Sequence, residues 1–281
     1  MDGRNKVFNE VAPQPLFDIG VNLADQEFLD DWHDVVQRSM HANVKTLMLT
    51  GTCMESSRTN LDMARVWDDE RRSDDGNLFV TVGVRPYDVS TFDDETTIQE
   101  MRSMLSDPLA KAVGECGLDY NRLYSSKEEQ LHAFRQQVAL ACELDLPMFL
   151  HEREAHDDFL QVLDEFDAQQ QQQLPPIVVH CFTGTLEEAR AYIRRGYYLG
   201  FAGTICKKQR GAHLRELLCY LPLERVMIET DAPFMGFVKG RRRSEPVDAV
   251  GVAEKISDCL GVSLEEVCRV TTENARSLFG L

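Results

Sequence analysis

Short apolar runs alternate with amphipathic helical stretches along almost the whole chain, the mark of consecutive parallel βα units. Leu16 to Leu23 (LFDIGVNL) reads as a first strand, followed by a helical stretch from about Asp30 to His41. Val44 to Gly51 (VKTLMLTG) is the second strand, and its helix runs from about Met54 to Trp67. NLFVTVGVRP gives a third strand ending near Val84, because Pro86 has no ladder N–H and restricts the residue before it. The fourth strand closes on AVGECGLDYNR, Ala112 to Arg122, and leads into the clearest helix of the chain. Ser126 and Glu129 form a capping box there, and Leu131, Phe134, Val138 and Ala141 recur on one face. LPMFLH ends a fifth strand on His151 and PIVVHCF a sixth on His180; between them DAQQQQQLPP reads as a surface loop. GYYLGFAG is a seventh strand, and RVMIETDAP an eighth that ends near Glu229 to Asp231. Beyond Glu245 the pattern is helical: Pro246 suits a first turn, Ser263 caps with Glu266, and TTENARSLFG reads as a last short helix.

Eight strands alternating with helices predict an α/β chain folded as a single (β/α)8 barrel with additional C-terminal helices, and 281 residues is a fitting length. No linker or composition shift divides it, so residues 1–15 are read as an N-terminal arm and 16–281 as one barrel domain. Hydrophobic residues at 43% and charged at 27% are globular values, and no apolar run approaches the ~18 residues of a membrane span. The first fifteen residues lack the apolar core of a secretory signal. A soluble cytoplasmic protein is expected, or a nuclear one in a eukaryote. The eight cysteines contain no C-x-x-C pair and fall mostly in apolar segments, which favours free thiols over a disulfide framework. A net charge of −17 excludes wholesale electrostatic binding of nucleic acid. It leaves room for a phosphate substrate held by metal ions and a local basic patch.

Four polar residues, Glu115, His151, His180 and Asp231, each fall where an apolar strand ends. In a parallel barrel those ends share the face on which βα loops build an active site, so the four should converge. Taken alone, Glu115 is satisfied by a metal ion, an arginine partner or a shared proton; each histidine, by an ordinary structural hydrogen bond; Asp231, by a turn. Together, two imidazoles and two carboxylates suit Zn²⁺ or Mn²⁺, or Mg²⁺ with added waters. Lys207 and Lys208 follow the seventh strand and Arg242 and Arg243 the eighth, where barrels often hold phosphate, with Arg85 and Arg153 as further phosphate candidates. Tyr87, Tyr120, Phe182 and Phe234 are candidates to stack on bases. Cys116 and Cys181 adjoin proposed ligands; the alternation of an extended strand turns both toward the helix layer.

FDIGVNL, VGVRPYD, AVGECGLDYNR, PMFLHEREAHDDF, VVHCFTGT and VMIETDAPFM stand in the order and spacing of the TatD family of metal-dependent deoxyribonucleases, barrels of the amidohydrolase type, which the chain resembles from Leu16 to its C-terminus. The resemblance implies a metal-dependent deoxyribonuclease that hydrolyses DNA phosphodiester bonds, often from the 3′ end of single strands. It puts Glu115, His151, His180 and Asp231 at metal-binding and catalytic positions and implies Mg²⁺ as the ion. The chain departs from the common pattern in carrying Gly20 and Asn22 where most members have His-x-His, and Arg85 and Tyr87 where histidines are usual. A second ion would then have only Asp18, Asn22, Glu115 and waters. Two alternatives follow from those departures and from the barrel type: a metal-dependent hydrolase of amide or ester bonds, such as a D-aminoacyl-tRNA deacylase, and a barrel that has lost catalysis and acts by binding.

Overall fold

The computed structural model describes residues 11–72, 75–169 and 174–281. Eight strands run parallel in sequential order: β1 (Leu16–Val21), β2 (Val44–Leu49), β3 (Asn77–Val82), β4 (Ala110–Asp119), β5 (Met148–Arg153), β6 (Ile177–Val179), β7 (Tyr198–Phe201) and β8 (Val226–Ile228). The ring closes through a parallel bridge between Val21 and Ala232 and through Asp231 N–H donating to Gly20 O at 2.8 Å. Helices α1 (Trp32–His41), α2 (Met54–Glu70), α3 (Thr96–Leu105), α4 (Lys127–Leu144), α5 (His156–Gln169), α6 (Leu186–Arg194) and α7 (Ala212–Leu218) return the chain between strands. Two more, α8 (Ala249–Leu260) and α9 (Leu264–Phe279), follow the last strand. This is the barrel that the periodicity predicts.

Apolar residues partition into two layers, as a closed sheet requires. Phe17, Ile19, Met48, Ala112, Phe149, Val178 and Met227 belong to one small cluster, with Leu278 and Phe279 of α9 packed against it. The larger cluster, including Val80, Val113, Phe134 and Phe159, joins the strands to the helices. α4 begins as its sequence foretells, with Ser126 Oγ accepting from Glu129 N and the Glu129 carboxylate accepting from Ser126 N. Ser263 caps α9 with its Oγ accepting from Glu266 N, but TTENARSLF continues that helix without a break. No proline or glycine interrupts it before Gly280, which caps it in the left-handed region, and its buried face runs from Val267 to Phe279.

Two further expectations change at the edges. Of the arm expected over residues 1–15, residues 1–10 lie outside the described chain; Ala12 is buried, donating its N–H to Ala42 O. Of the polar loop before β6, residues 170–173 lie outside the described chain, and α5 reaches into its start as far as Gln169.

The stretch around Glu115 departs from plain strand geometry. Gly114 and Gly117 take φ of +136° and +141°, a region that L side chains rarely adopt. A Cβ on Gly114 would sit 2.0 Å from Phe149 O, and one on Gly117 would sit 1.9 Å from His151 O. The two glycines therefore press β4 against β5 on either side of Glu115, and the β4–β5 register shifts between Val113 and Cys116. Glu115 N–H donates to Gly51 O at 2.7 Å, tying the same point to the end of β2.

Candidate metal centre and cleft

The strand ends bring Glu115, His151, His180 and Asp231 to the floor of one cleft of about 560 Å³, lined also by Asn22, Arg85, Tyr87, Arg122, Tyr124, Arg153, Cys181 and Phe234. Three of the four form a tight triangle. His151 Nδ1 lies 3.0 Å from Glu115 Oε1, His180 Nε2 lies 3.3 Å from the same oxygen, and the two nitrogens are 3.4 Å apart. Donor atoms bound to one ion at about 2.1 Å stand roughly 3.0–3.4 Å from one another in octahedral or tetrahedral arrangements, so the triangle has the dimensions of a coordination face. Glu115, His151 and His180 are also the group of donors among the described residues able to hold a metal ion together.

The outer nitrogens are held as well. His151 Nε2 meets Asp119 Oδ2 at 3.0 Å, and His180 Nδ1 lies 3.5 Å from Glu229 Oε2. Carboxylates there favour the proton on the outer nitrogen of each ring and turn the lone pair of the inner one toward Glu115, the usual support of a metal-bound histidine. Asp119 is fixed in turn: it accepts from Tyr87 Oη at 2.5 Å and from the backbone N–H groups of Asn121 and Arg122. Glu229 fills the space left by two glycines, since a Cβ on Gly20 would lie 2.7 Å from its Oε2 and one on Gly200 would lie 2.9 Å from its Oε1.

The electrostatics of the metal-free cluster follow from these contacts. Burial pushes the Glu115 carboxyl up, but His180 and His151 outweigh it and hold the group well below the usual carboxylate range. Burial likewise disfavours the charged imidazoles, yet Glu115 and Asp119 raise His151, and Glu115 and Glu229 raise His180 further. Positive charge beside Glu115 is thus what the site demands, and a divalent cation satisfies the same demand once the inner nitrogens are deprotonated. Asp231 is pushed up to about 7, chiefly by burial and with Glu229 and Glu115 adding to it, against the opposing pull of His180 and of the Asn22 hydrogen bond.

Asn22 and Asp18, the first-strand candidates for a weak second site, divide. Asn22 lines the cleft and donates from Nδ2 to Asp231 Oδ1 at 2.9 Å, so it presents an amide N–H rather than a ligand lone pair. Asp18 is not brought to the cluster. Its Oδ1 accepts from Thr230 N at 2.9 Å and Gly20 N at 3.2 Å, and its Oδ2 from Thr230 Oγ1 at 2.6 Å. It braces β1 to the chain after β8. Strand alternation could not have shown this, since Asp18 has the same parity as Gly20 and Asn22; the donors that claim its oxygens come largely from Thr230, beyond β8.

The cationic candidates sort by loop. Arg85 and Arg153 line the cleft, with Arg85 also held to Asp88 at 2.7 Å. Lys207 and Lys208 are not among the cleft-lining residues; Arg215 grips their carbonyls at 2.9 and 2.8 Å and fixes their loop. Arg243 is consumed as a clamp, pairing with Asp31 at 2.5 Å and lying over the Phe28 ring at 4.5 Å, while Arg242 pairs with Glu27 at 2.6 Å on the surface. In a chain with so large an acidic excess, the loop after β8 uses its arginines to dock on the chain ahead of α1. Arg122, which is not among the phosphate candidates that the sequence offers, lines the cleft and has no ion pair among the described residues.

Among the aromatic candidates, Tyr87 and Phe234 line the cleft, whereas Tyr120 bonds Asp158 and lies under Lys127, and Phe182 is core. Cys116 is buried in the helix-facing core as expected. Cys181 is not turned to that layer: β6 ends at Val179, Cys181 takes φ of +45°, and its side chain lines the cleft, because pleat alternation holds only within a strand.

The family of TatD related DNases matches the chain over residues 17–280. The "3'-5' ssDNA/RNA exonuclease TatD" of Shigella flexneri is 37% identical over 271 residues, covering 95% of this chain and 99% of its own. The protein of the same name from Salmonella typhimurium is 38% identical over 269 residues, covering 94% and 98%. A hydrolase TatD family protein from Entamoeba histolytica superposes with a TM-score of 0.85 at 26% identity, covering 96% of this chain and 99% of that one.

Proposed function

The chain belongs to the TatD-related DNase family, a family of nucleic-acid hydrolases, and from that membership we propose that it is a metal-dependent exonuclease removing nucleotides from the 3′ end of single-stranded DNA. The observation that carries the reading is the convergence of Glu115 Oε1, His151 Nδ1 and His180 Nε2, each within 3.4 Å of the other two, beneath a cleft bordered by arginines. The bacterial relatives carry 3′–5′ ssDNA/RNA exonuclease as their name, which supports the polarity and the single-stranded substrate.

When bound, a divalent cation supplies Lewis acidity toward a phosphate oxygen and lowers the pKa of water at the site. The protein's part is to hold, orient and take up a proton. Glu115, His151 and His180 are the ligands, and Asp119 and Glu229 set the two imidazole rings. Asp231 is the general base: Asn22 engages its Oδ1, and Oδ2 accepts the proton of the attacking water. Arg85, Arg122 and Arg153 hold the phosphates of the strand, replacing the charge that the composition as a whole lacks. First-strand ligands for a second ion are absent in this reading, since Glu229 fills the place beside Gly20 and Asn22 offers a donor; one ion is therefore proposed. Two imidazoles and a carboxylate suit Mn²⁺ or Zn²⁺ at least as well as Mg²⁺, the ion that family resemblance implies.

Incubation with 3′-labelled single-stranded DNA tests the reading. Release of labelled mononucleotide with Mg²⁺ or Mn²⁺, abolished by EDTA and restored by the ion, is the expected outcome. A D-aminoacyl ester cleaved in its place by the same sample would favour the deacylase alternative, and a bound ion without turnover of either would favour a binding role.

A further inference from the structure

We propose that Tyr124 is a nucleobase-stacking residue, whose exposed ring receives a base of the strand that lies with its phosphates along the metal cluster. The ligand rests on the nucleic-acid reading of the cleft; the site itself stands on separate observations. Tyr124 is the most exposed of the large apolar side chains left in water among the described residues, at 71%, and neighbouring Leu123 is exposed as well. An aromatic ring in water gains nothing from packing, and its hydroxyl makes no hydrogen bond among the described residues. It is nevertheless held in place, edge-to-face with Tyr87 at 5.3 Å between centroids and 83° between planes.

Tyr87 is the anchor of that arrangement. Its hydroxyl is bound to Asp119, its ring stands 5.8 Å from that of His151, and the guanidinium groups of Arg85 and Arg122 lie 5.3 and 5.8 Å from its centre. Two ring-to-ring steps thus lead from a metal ligand to Tyr124, a span within reach of a dinucleotide. Tyr87 has its polar tip engaged and cations against its ring, which leaves Tyr124 as the ring open to a ligand. Phe234, 46% exposed, borders the same cleft on the loop after β8. Exposed rings interleaved with Arg122 and Arg153, which have no ion pair among the described residues, match the chemistry of a single strand, whose bases have π-faces and whose backbone is anionic. An apolar peptide would leave Arg122 and Arg153 without partners.

Stacking of this kind tolerates any base and is lost when the ring is removed. The test compares wild type, Tyr124→Ala and Tyr124→Phe on two single strands, one with ordinary nucleotides and one with abasic tetrahydrofuran residues at its two 3′-terminal positions. The expected result is a KM raised by about 10-fold in Tyr124→Ala on the ordinary strand, restoration in Tyr124→Phe, and equal turnover of the abasic strand by all three proteins. Equal KM values on the ordinary strand, or equal losses on both strands, would overturn the assignment. Were wild type to cleave neither strand, the exonuclease reading would fail, and fluorescence of a strand ending in 2-aminopurine would still decide the stacking role. Quenching by wild type and Tyr124→Phe but not by Tyr124→Ala supports it; no quenching by wild type, or equal quenching by all, refutes it.

Discussion

Replacing Glu115 with Gln lowers turnover of single-stranded DNA by about 10³-fold or more and weakens binding of the divalent ion, while the protein stays folded. Glu115 is in contact with both inner imidazole nitrogens, at 3.0 and 3.3 Å. Glutamine keeps the shape and one oxygen but removes the charge that draws a cation to the site. Loss of about 4 kcal/mol of charge stabilisation in the transition state corresponds to those three decades, since each ~1.4 kcal/mol is tenfold. The backbone around residue 115 is set by Gly114, Gly117 and the bond to Gly51 O, none of which the substitution touches. Steady-state kinetics, titration calorimetry with Mn²⁺ and circular dichroism check the three parts. A purely structural Glu115 would show the reverse, a protein of reduced stability whose folded fraction keeps full turnover.

Asp231→Asn separates base catalysis from metal binding. The expected result is a kcat reduced by about 10²–10⁴-fold, the range of a lost general base, with ion affinity and KM changed far less. The substitution is conservative in two ways that the structure specifies. Asp231 takes φ of +54°, a left-handed conformation that asparagine accepts readily. Its Oδ1 accepts from Asn22 Nδ2, a bond that an asparagine amide oxygen can keep. A drop in ion affinity matching the loss in kcat would instead make Asp231 a principal ligand.

The fold was legible in the sequence because a closed parallel barrel leaves its mark on every strand. Each apolar run from LFDIGVNL to RVMIETDAP is one strand, and the caps at Ser126 and Ser263 start α4 and α9. The candidate ligands were legible for the same reason, since a polar residue ending an apolar run is conspicuous. What surrounds them was not. Asp119 lies four residues beyond Glu115 in the same strand, yet its role depends on the glycine-driven approach of β4 to β5, which sets it against His151 Nε2. Glu229 supports His180 only because Gly20 and Gly200 leave it room, a three-strand coincidence that no local pattern expresses. The basic residues misled for an equally physical reason: proximity in sequence to strands 7 and 8 says nothing of which acids will claim them. Asp31 and Glu245 hold Arg243, and Arg122, from the fourth strand's loop, takes a place at the cleft.

The central claim, that Glu115, His151 and His180 meet on one divalent ion, is tested most directly by anomalous diffraction from a crystal of the protein equilibrated with Mn²⁺. A single strong peak bounded by Glu115 Oε1, His151 Nδ1 and His180 Nε2, with Asp231 beside it, is the expected result. A peak held by Asp18, or Mn²⁺ bound elsewhere while the two imidazoles remain hydrogen-bonded to Glu115, would contradict it.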